Sequence, residues 1–131
     1  MNRDLIINMP AGPEMDVLVA EKVMNWHLDY ITYWDKCWYT KDNLKAGFKE
    51  HEWKPSLRIA HAWYVVEHKT GGRIQFRLEI ASVNRVIYAK FVDTEPPEKV
   101  IGGACGEEAS EAICKAALLM VMEDENETGE K

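Results

Sequence analysis

The chain has few of the residues that build disulfide or metal-held scaffolds. It contains only three cysteines, Cys37, Cys105 and Cys114, an odd number without CxxC spacing. We therefore expect free thiols in a reducing compartment rather than a disulfide framework. The four histidines show neither HxxxH nor HExxH spacing, so the sequence predicts no metal site and no cofactor.

Long apolar runs are also missing. No run approaches the roughly 18 residues that a transmembrane helix needs, and the N-terminus has no apolar segment followed by a small-residue cleavage site. We expect a soluble, cytoplasmic protein that does not bind membranes. The 131 residues suit one domain, which can bury roughly two-thirds of its unfolded surface.

The charge is unevenly distributed along the chain. The net charge of −6 argues against a duplex-DNA binder. Segment 54–90 holds seven basic and two acidic residues, whereas 123–131 holds five acids and one lysine. We expect one domain at 1–122, followed by an acidic flexible tail at 123–131. The basic segment is compatible with a small anionic ligand.

The spacing of apolar residues predicts an α+β fold. Short turns join three predicted strands, which indicates an antiparallel meander. The second strand is apolar on both sides, so we expect helices on both faces of the sheet, in a three-layer α/β/α sandwich. The predicted elements are a helical turn at Asn2–Ile7, helices at Pro13–Asn25, Leu57–Lys69 and Glu107–Met122, and strands at Arg73–Ala81, Arg85–Asp93 and Lys99–Cys105.

Segment 27–54 is rich in aromatic residues and shows neither strand alternation nor a helical stripe. Irregular segments of this length are uncommon inside a compact domain and are often functional loops. We therefore expect an aromatic insertion at 27–54.

Three stretches of the chain resemble a known family. Met15–Trp26 (MDVLVAEKVMNW) is similar to the DALVAEKVMGW opening of the phage ABA-sandwich family. Glu108–Leu119 (EASEAICKAALL) is similar to its APEAICRAALL close, and Ala60–Glu67 (AHAWYVVE) resembles its AAWEVVE helix. The three matches occur in the right order and span most of the chain.

The resemblance implies an α/β/α sandwich and a bacteriophage origin, and hence the cytoplasm of an infected bacterial cell. It implies no settled activity and no catalytic residues. The chain departs from the family at Asn25, where a glycine is usual, and in segment 30–53, which is longer and richer in aromatics.

The aromatic insertion and nearby arginines form the first candidate site. Aromatic rings stack on planar bases, and arginines pair with phosphates through two hydrogen bonds. The alternatives are that these aromatics pack a small core of their own or form a dimer interface. The candidate ligand-binding residues are Trp26, Tyr33, Trp34, Trp38, Tyr39, Arg58, Arg73 and Arg77.

Two further motifs give weaker signals. Gly102–Gly106 precedes a predicted helix, as an anion-binding loop would, but it lacks the lysine and Ser/Thr of a P-loop. Cys105 lies at the same helix start, where a thiol pKa can fall, but no histidine is near it in sequence. We therefore predict no catalytic residues and no enzyme activity.

These observations favour a non-enzymatic binding protein encoded by a phage. Its most concrete form is a sponge that sequesters a small, anionic, nucleotide-like immune signal and so blunts a bacterial defence. The first alternative is a protein–protein interaction module that binds a host or phage protein. The second is a small hydrolase acting on such a nucleotide. A homo-oligomer is expected in each case, because exposed tryptophans favour association.

Overall fold

Two three-stranded antiparallel sheets and four α-helices form the part of the chain that the computed structural model describes, residues 2–70 and 76–129. The fold is α+β, as predicted. The helices are α1 (Arg3–Asn8), α2 (Pro13–Leu18), α3 (Ile59–Thr70) and α4 (Ala109–Gly129), and the strands are β1 (His27–Tyr30), β2 (Lys36–Tyr39), β3 (Lys45–Lys49), β4 (Phe76–Val83), β5 (Val86–Asp93) and β6 (Lys99–Gly106).

Helix α2 begins with Pro13 in its first turn, where the missing N–H costs nothing. The chain then continues into a π-helical turn at Val19–Val23. After this turn, Asn25 has a φ of 59°, in the left-handed region. Glycine and asparagine adopt that region most readily. This conformation explains why asparagine can replace the usual glycine of the resembled family at this position.

The sequence predicts an irregular loop for the aromatic insertion. In the structure this segment instead forms the first of the two sheets. Its order is β1-β2-β3, and His27 lies opposite Tyr39. The strands have only four or five residues, and the β2–β3 pairing shifts between Cys37 and Tyr39. Such short and irregular strands give too few alternating positions to show in the sequence.

The second sheet is the predicted meander, in the order β4-β5-β6. The start of the predicted first strand, residues 73–75, lies outside the described residues. In β5, Ala89 and Phe91 are buried in the core, whereas Tyr88 is 49% exposed and Lys90 is also exposed. The core face of this strand is therefore the one that carries Ala89 and Phe91.

Helix α4 packs closely on β6 at Gly102. A Cβ atom at this position would lie 2.5 Å from the carbonyl oxygen of Ala116 and 2.7 Å from Cβ of Met120. The helix also continues past its predicted end at Met122, as far as Gly129. The predicted tail at 123–131 is thus helical in its backbone to Gly129, and Glu130 and Lys131 lie outside the described residues.

Lys115 fastens the N-terminal helix to α4. Its side chain is buried, and its Nζ donates to the backbone carbonyl of Ile7 at 2.9 Å. The same ammonium lies 3.0 Å from Oε2 of Glu111. Since a buried ammonium needs such partners, these contacts hold α1 against α4.

Candidate ligand-binding cleft

Tyr33 and Trp34 lie in the turn that joins β1 to β2, and their side chains are 90% and 83% exposed. Their ring centroids are 5.7 Å apart. We call this pair the hairpin knob. Both rings of the knob project into solvent.

Trp38 and Tyr39 are neighbours on β2 with different surroundings. Trp38 is 1% exposed and belongs to the hydrophobic core. Tyr39 is half-buried, and its ring centroid lies 6.0 Å from that of His27. Consecutive residues of a strand point to opposite faces, so the side chains of Trp38 and Tyr39 lie on opposite sides of β2.

Arg77 lies on the second sheet and is already paired with carboxylates. Its Nε is 2.6 Å from Oε2 of Glu79, and its Nη2 is 2.9 Å from Oε1 of Glu98. Two protein carboxylates therefore contact the guanidinium of Arg77, and its role in phosphate binding stays a prediction. Arg73 lies outside the described residues.

A cluster of rings forms where the first sheet meets α3. The Trp53 ring centroid lies 4.7 Å from that of Trp26 and 4.8 Å from that of Phe48. The His61 ring is nearly parallel to the Trp53 indole, at 7° and 5.6 Å. Tyr64 meets Phe48 edge-on at 5.4 Å. The cluster fixes the orientation of Trp53 and His61.

Two adjoining cavities lie beside this cluster, of about 500 Å³ and about 380 Å³. They share His51 and Lys54, and we call them together the Trp53 cleft. Their size suits a small molecule. The larger cavity is lined by Pro13, Asp16, Val17, Trp38, Glu50, His51, Trp53, Lys54 and Leu57, and the smaller by Gly47, Phe48, His51, Glu52, Lys54, Arg58 and His61.

The structure thus brings three of the eight predicted residues to the cleft or its supporting cluster: Trp26, Trp38 and Arg58. Sequence reasoning missed His51, Trp53, Lys54 and His61 as site residues. The grouping of a histidine, a tryptophan and a lysine at 51–54 was the available signal. It is a weak signal, because nothing in the sequence of this segment shows that its side chains share a cavity.

Ser56 anchors the segment that carries Lys54 and Arg58. Its backbone N–H donates to Oδ1 of Asp16 at 2.9 Å, and its Oγ accepts from the N–H of Gly12 at 2.9 Å. Its carbonyl accepts from Oγ of Ser110 at 3.0 Å. These bonds attach the segment to α2 and α4, so the two cations are held by a fixed backbone.

The charges within the cleft are mixed. Lys54 and Arg58 are cationic, and burial raises the pKa of Asp16 and so favours its neutral form. One carboxylate oxygen of Glu52 accepts from the N–H of Lys49 at 2.7 Å. The smaller cavity therefore holds two cations against one carboxylate, and it is the part that suits an anion.

His61 lines the smaller cavity and is bonded to the backbone of Lys54, a residue that both cavities share. Its Nδ1 accepts a hydrogen bond from the backbone N–H of Lys54 at 3.0 Å. Burial, followed by the charge of Arg58, lowers the pKa of His61 and favours the neutral ring. Because Nδ1 is an acceptor, the proton of the neutral ring sits on Nε2.

Trp38 and Trp53 each have a buried indole N–H without a hydrogen-bond partner among the described residues. Buried indole N–H groups usually have an acceptor. Both tryptophans border the larger cavity.

Fold and cleft together define a small α+β protein with a site of ligand size. A family model, the phage ABA sandwich domain, matches residues 17–118. The chain therefore belongs to the phage ABA sandwich domain family and is a bacteriophage-type protein. No curated protein and no solved structure matches it significantly.

Within residues 2–70 and 76–129, no helix is long and apolar enough to cross a membrane. The same part of the chain has no group of three or more His, Cys, Asp or Glu side chains placed to hold a metal ion. Cys105, the candidate nucleophile, is exposed. It lies on β6 and does not line the Trp53 cleft.

Proposed function

We propose that the protein binds a small, anionic, nucleotide-like ligand in the Trp53 cleft without converting it. The observation that carries this proposal is the junction of the two cavities at Lys54. Trp38 and Trp53 are among the residues that line one cavity, and Arg58 and His61 are among those that line the other. A nucleotide needs both environments, an apolar site for its ring and cations for its phosphate.

The phosphate would lie in the smaller cavity. The guanidinium of Arg58 and the ammonium of Lys54 supply charge-assisted hydrogen bonds, and Nε2–H of the neutral His61 ring supplies another donor. The base would lie in the larger cavity, between the tryptophans and Leu57. Contact with aromatic rings is worth roughly 1–3 kcal/mol per base.

Membership in a phage family supports a role for this binding in infection. A protein that binds a nucleotide signal and leaves it unchanged lowers the free concentration of that signal, and the effect grows with the amount of protein made. We infer that the chain acts as a sponge for such a signal and so blunts a bacterial defence.

Isothermal titration calorimetry tests the binding step, with ADP-ribose, cyclic di-AMP and cyclic di-GMP as probes. At least one probe is expected to bind the wild-type protein. Arg58→Ala and Lys54→Ala are each expected to weaken that binding about 10- to 100-fold, the loss of one charged hydrogen bond. Lys41→Ala, in the exposed turn after β2, is the matched control and should bind normally.

No heat from any probe would contradict the proposal, as would equal affinity of the Arg58, Lys54 and Lys41 variants. Chromatography of the incubated probe separates sponge from hydrolase. The sponge leaves the probe unchanged, whereas products that appear with time would establish an enzyme.

The hairpin knob favours a second function, contact with another protein surface. Tyrosine and tryptophan are the residues that most often anchor protein interfaces. The knob presents one of each with most of its surface exposed. This contact does not compete with ligand binding, since neither knob residue lines the Trp53 cleft.

A further inference from the structure

The His61 ring connects α3 to the segment that carries Trp53 and Lys54. Its Nδ1 accepts a hydrogen bond from the backbone N–H of Lys54 at 3.0 Å. The ring lies nearly parallel to the Trp53 indole, with the two centroids 5.6 Å apart, and its centroid is 4.8 Å from that of Phe48. These ring contacts restrict rotation of the imidazole, so Nδ1 stays directed at Lys54.

The Lys54 peptide group is bonded to the start of α3 through both its carbonyl and its N–H. The carbonyl accepts from the backbone N–H groups of Leu57 at 3.1 Å and of Arg58 at 2.8 Å. The N–H donates to His61. The position of the Lys54 backbone, and so of the root of its side chain in the cleft, therefore depends on the lone pair of one imidazole nitrogen.

We propose that His61 is a positioning residue with two states, and that a proton on its Nδ1 releases the backbone of Lys54 and disrupts the Trp53 cleft. A neutral imidazole has one acceptor and one donor nitrogen, whereas both nitrogens of the imidazolium are donors. In the charged ring, Nδ1–H points at the N–H of Lys54. Two donors then face each other, and the hydrogen bond is lost.

The groups around His61 favour the neutral ring. Burial, followed by the charge of Arg58, lowers the pKa of His61 below the ordinary value of 6.5. Among the other charged neighbours, Glu52 raises this pKa and Lys54 lowers it. The titratable ring of His51 also lines the smaller cavity. The stabilisation that the neutral His61 ring provides is thus present above pH 6.5 and is lost as the pH falls through the folded-state pKa.

The consequence for ligand binding rests on the proposed function, whereas the release of Lys54 does not. Lys54 lines both cavities, so its displacement removes a cation from the cleft. Binding of an anion should therefore weaken when His61 takes up its proton. A gain of charge without displacement predicts the opposite, because an imidazolium beside an anion strengthens binding. The sign of the pH dependence separates the two cases.

An NMR titration of the full-length protein without ligand tests the release directly. The imidazole ¹⁵N signals report the protonation of each histidine, and the amide signal of Lys54 reports its hydrogen bond. Between pH 7.5 and pH 4.5, the Lys54 amide signal should move with the same midpoint as the Nδ1 signal of His61. His51→Gln removes the neighbouring ring of the smaller cavity and should keep this shared midpoint.

His61→Asn is the matched variant that does not titrate. The side-chain oxygen of asparagine takes a position close to that of Nδ1 and can accept from Lys54 at every pH. Asp16 and Glu52 still titrate in this variant, so the comparison isolates the proton of His61. Over the same pH range, its Lys54 amide signal should move less than about half as far as in the wild type.

Calorimetry with cyclic di-AMP and cyclic di-GMP extends the test to ligand binding, since their phosphodiester charges do not change over this pH range. One pH unit below the His61 midpoint, about one-tenth of the rings are neutral, so the affinity of the wild type should be about tenfold lower than at pH 7.5. The affinity of His61→Asn should change less than about threefold. If neither probe binds at any pH, the proposed function fails, and the spectra of the free protein decide this proposal.

A Lys54 amide signal that stays in place while His61 takes up its proton would overturn the proposal. So would a His61 ring that remains neutral down to pH 4.5, or a Lys54 signal that moves as far in His61→Asn as in the wild type. A probe that binds more tightly once His61 is charged would also contradict it.

Discussion

Trp34 and Trp38 show how four positions along one hairpin separate a surface residue from a core residue. Trp34 lies in the β1–β2 turn, and Trp38 lies on β2 with its indole in the core. Nothing in their residue type distinguishes them. The pairing of β2 with its two neighbours decides which face of the strand is buried.

This difference predicts unequal losses of stability when the two tryptophans are replaced by alanine. Trp38→Ala removes a fully buried indole and should lower the free energy of unfolding by about 3–5 kcal/mol. Trp34→Ala is the matched control and should change it by about 0.5 kcal/mol or less. Urea denaturation followed by circular dichroism measures both. Equal losses in the two variants would contradict the placement of these residues.

Asp16 is a buried acid that also positions the binding segment, through the N–H of Ser56. Burial raises its pKa above the ordinary value of 3.8. The folded protein therefore binds this proton more tightly than the unfolded chain does. The resulting stabilisation is present below pH 3.8 and is lost as the pH rises through the folded-state pKa.

Asp16→Asn should accordingly become more favourable relative to wild type as the pH rises. The amide is neutral at every pH, and its oxygen can still accept from Ser56. The test compares the free energies of unfolding of both proteins at pH 4, 5.5 and 7. Asp42→Asn, in an exposed turn, should keep a constant difference from wild type. If Asp16→Asn instead lost stability relative to wild type as the pH rises, the assigned role of burial would be wrong.

At the scale of elements, the contact between α4 and β6 depends on the missing side chain of Gly102. The small residues of α4 that face the core, Ala112, Ala116 and Ala117, are fully buried. Together with Gly102 they allow helix and strand to approach closely. At the next residue, Gly103, an added Cβ would have its nearest neighbour, Cβ of Lys90, at 3.4 Å.

The two glycines should therefore respond differently to alanine. Gly102→Ala forces α4 away from β6 and should cost about 1–3 kcal/mol. Gly103→Ala meets only ordinary contacts and should have a much smaller effect. Thermal unfolding of the two variants provides the comparison. Equal melting temperatures would show that the helix shifts at no cost.

The sequence predicts the second sheet better than the first for a physical reason. Strands β4 and β5 have eight residues each, enough for alternation to be recognised. Strands β1 and β2 have four, and their pairing is a tertiary property. The extension of α4 to Gly129 is not predicted, because an acidic, apolar-poor composition is typical of a solvated tail.

At the scale of the whole molecule, the cleft is assembled from distant parts of the chain. Asp16, Trp38, Trp53 and Arg58 come from a helix, a strand and the segment before α3. The sequence predicts aromatic and cationic side chains for the candidate site, and residues of both types line the cleft. The side-chain contacts of the individual residues were not predictable, because contacts such as those of Arg77 with Glu79 and Glu98 form across the second sheet.

The central claim is that the Trp53 cleft, and not the hairpin knob, binds the ligand. The five tryptophans each give one indole N–H signal in a ¹⁵N–¹H spectrum, so a titration with ADP-ribose, cyclic di-AMP or cyclic di-GMP reports on all of them at once. We predict that one of these ligands shifts the signals of Trp38 and Trp53 and leaves that of Trp34 in place. Movement of the Trp34 signal alone, or no movement with any of the three, would contradict the account.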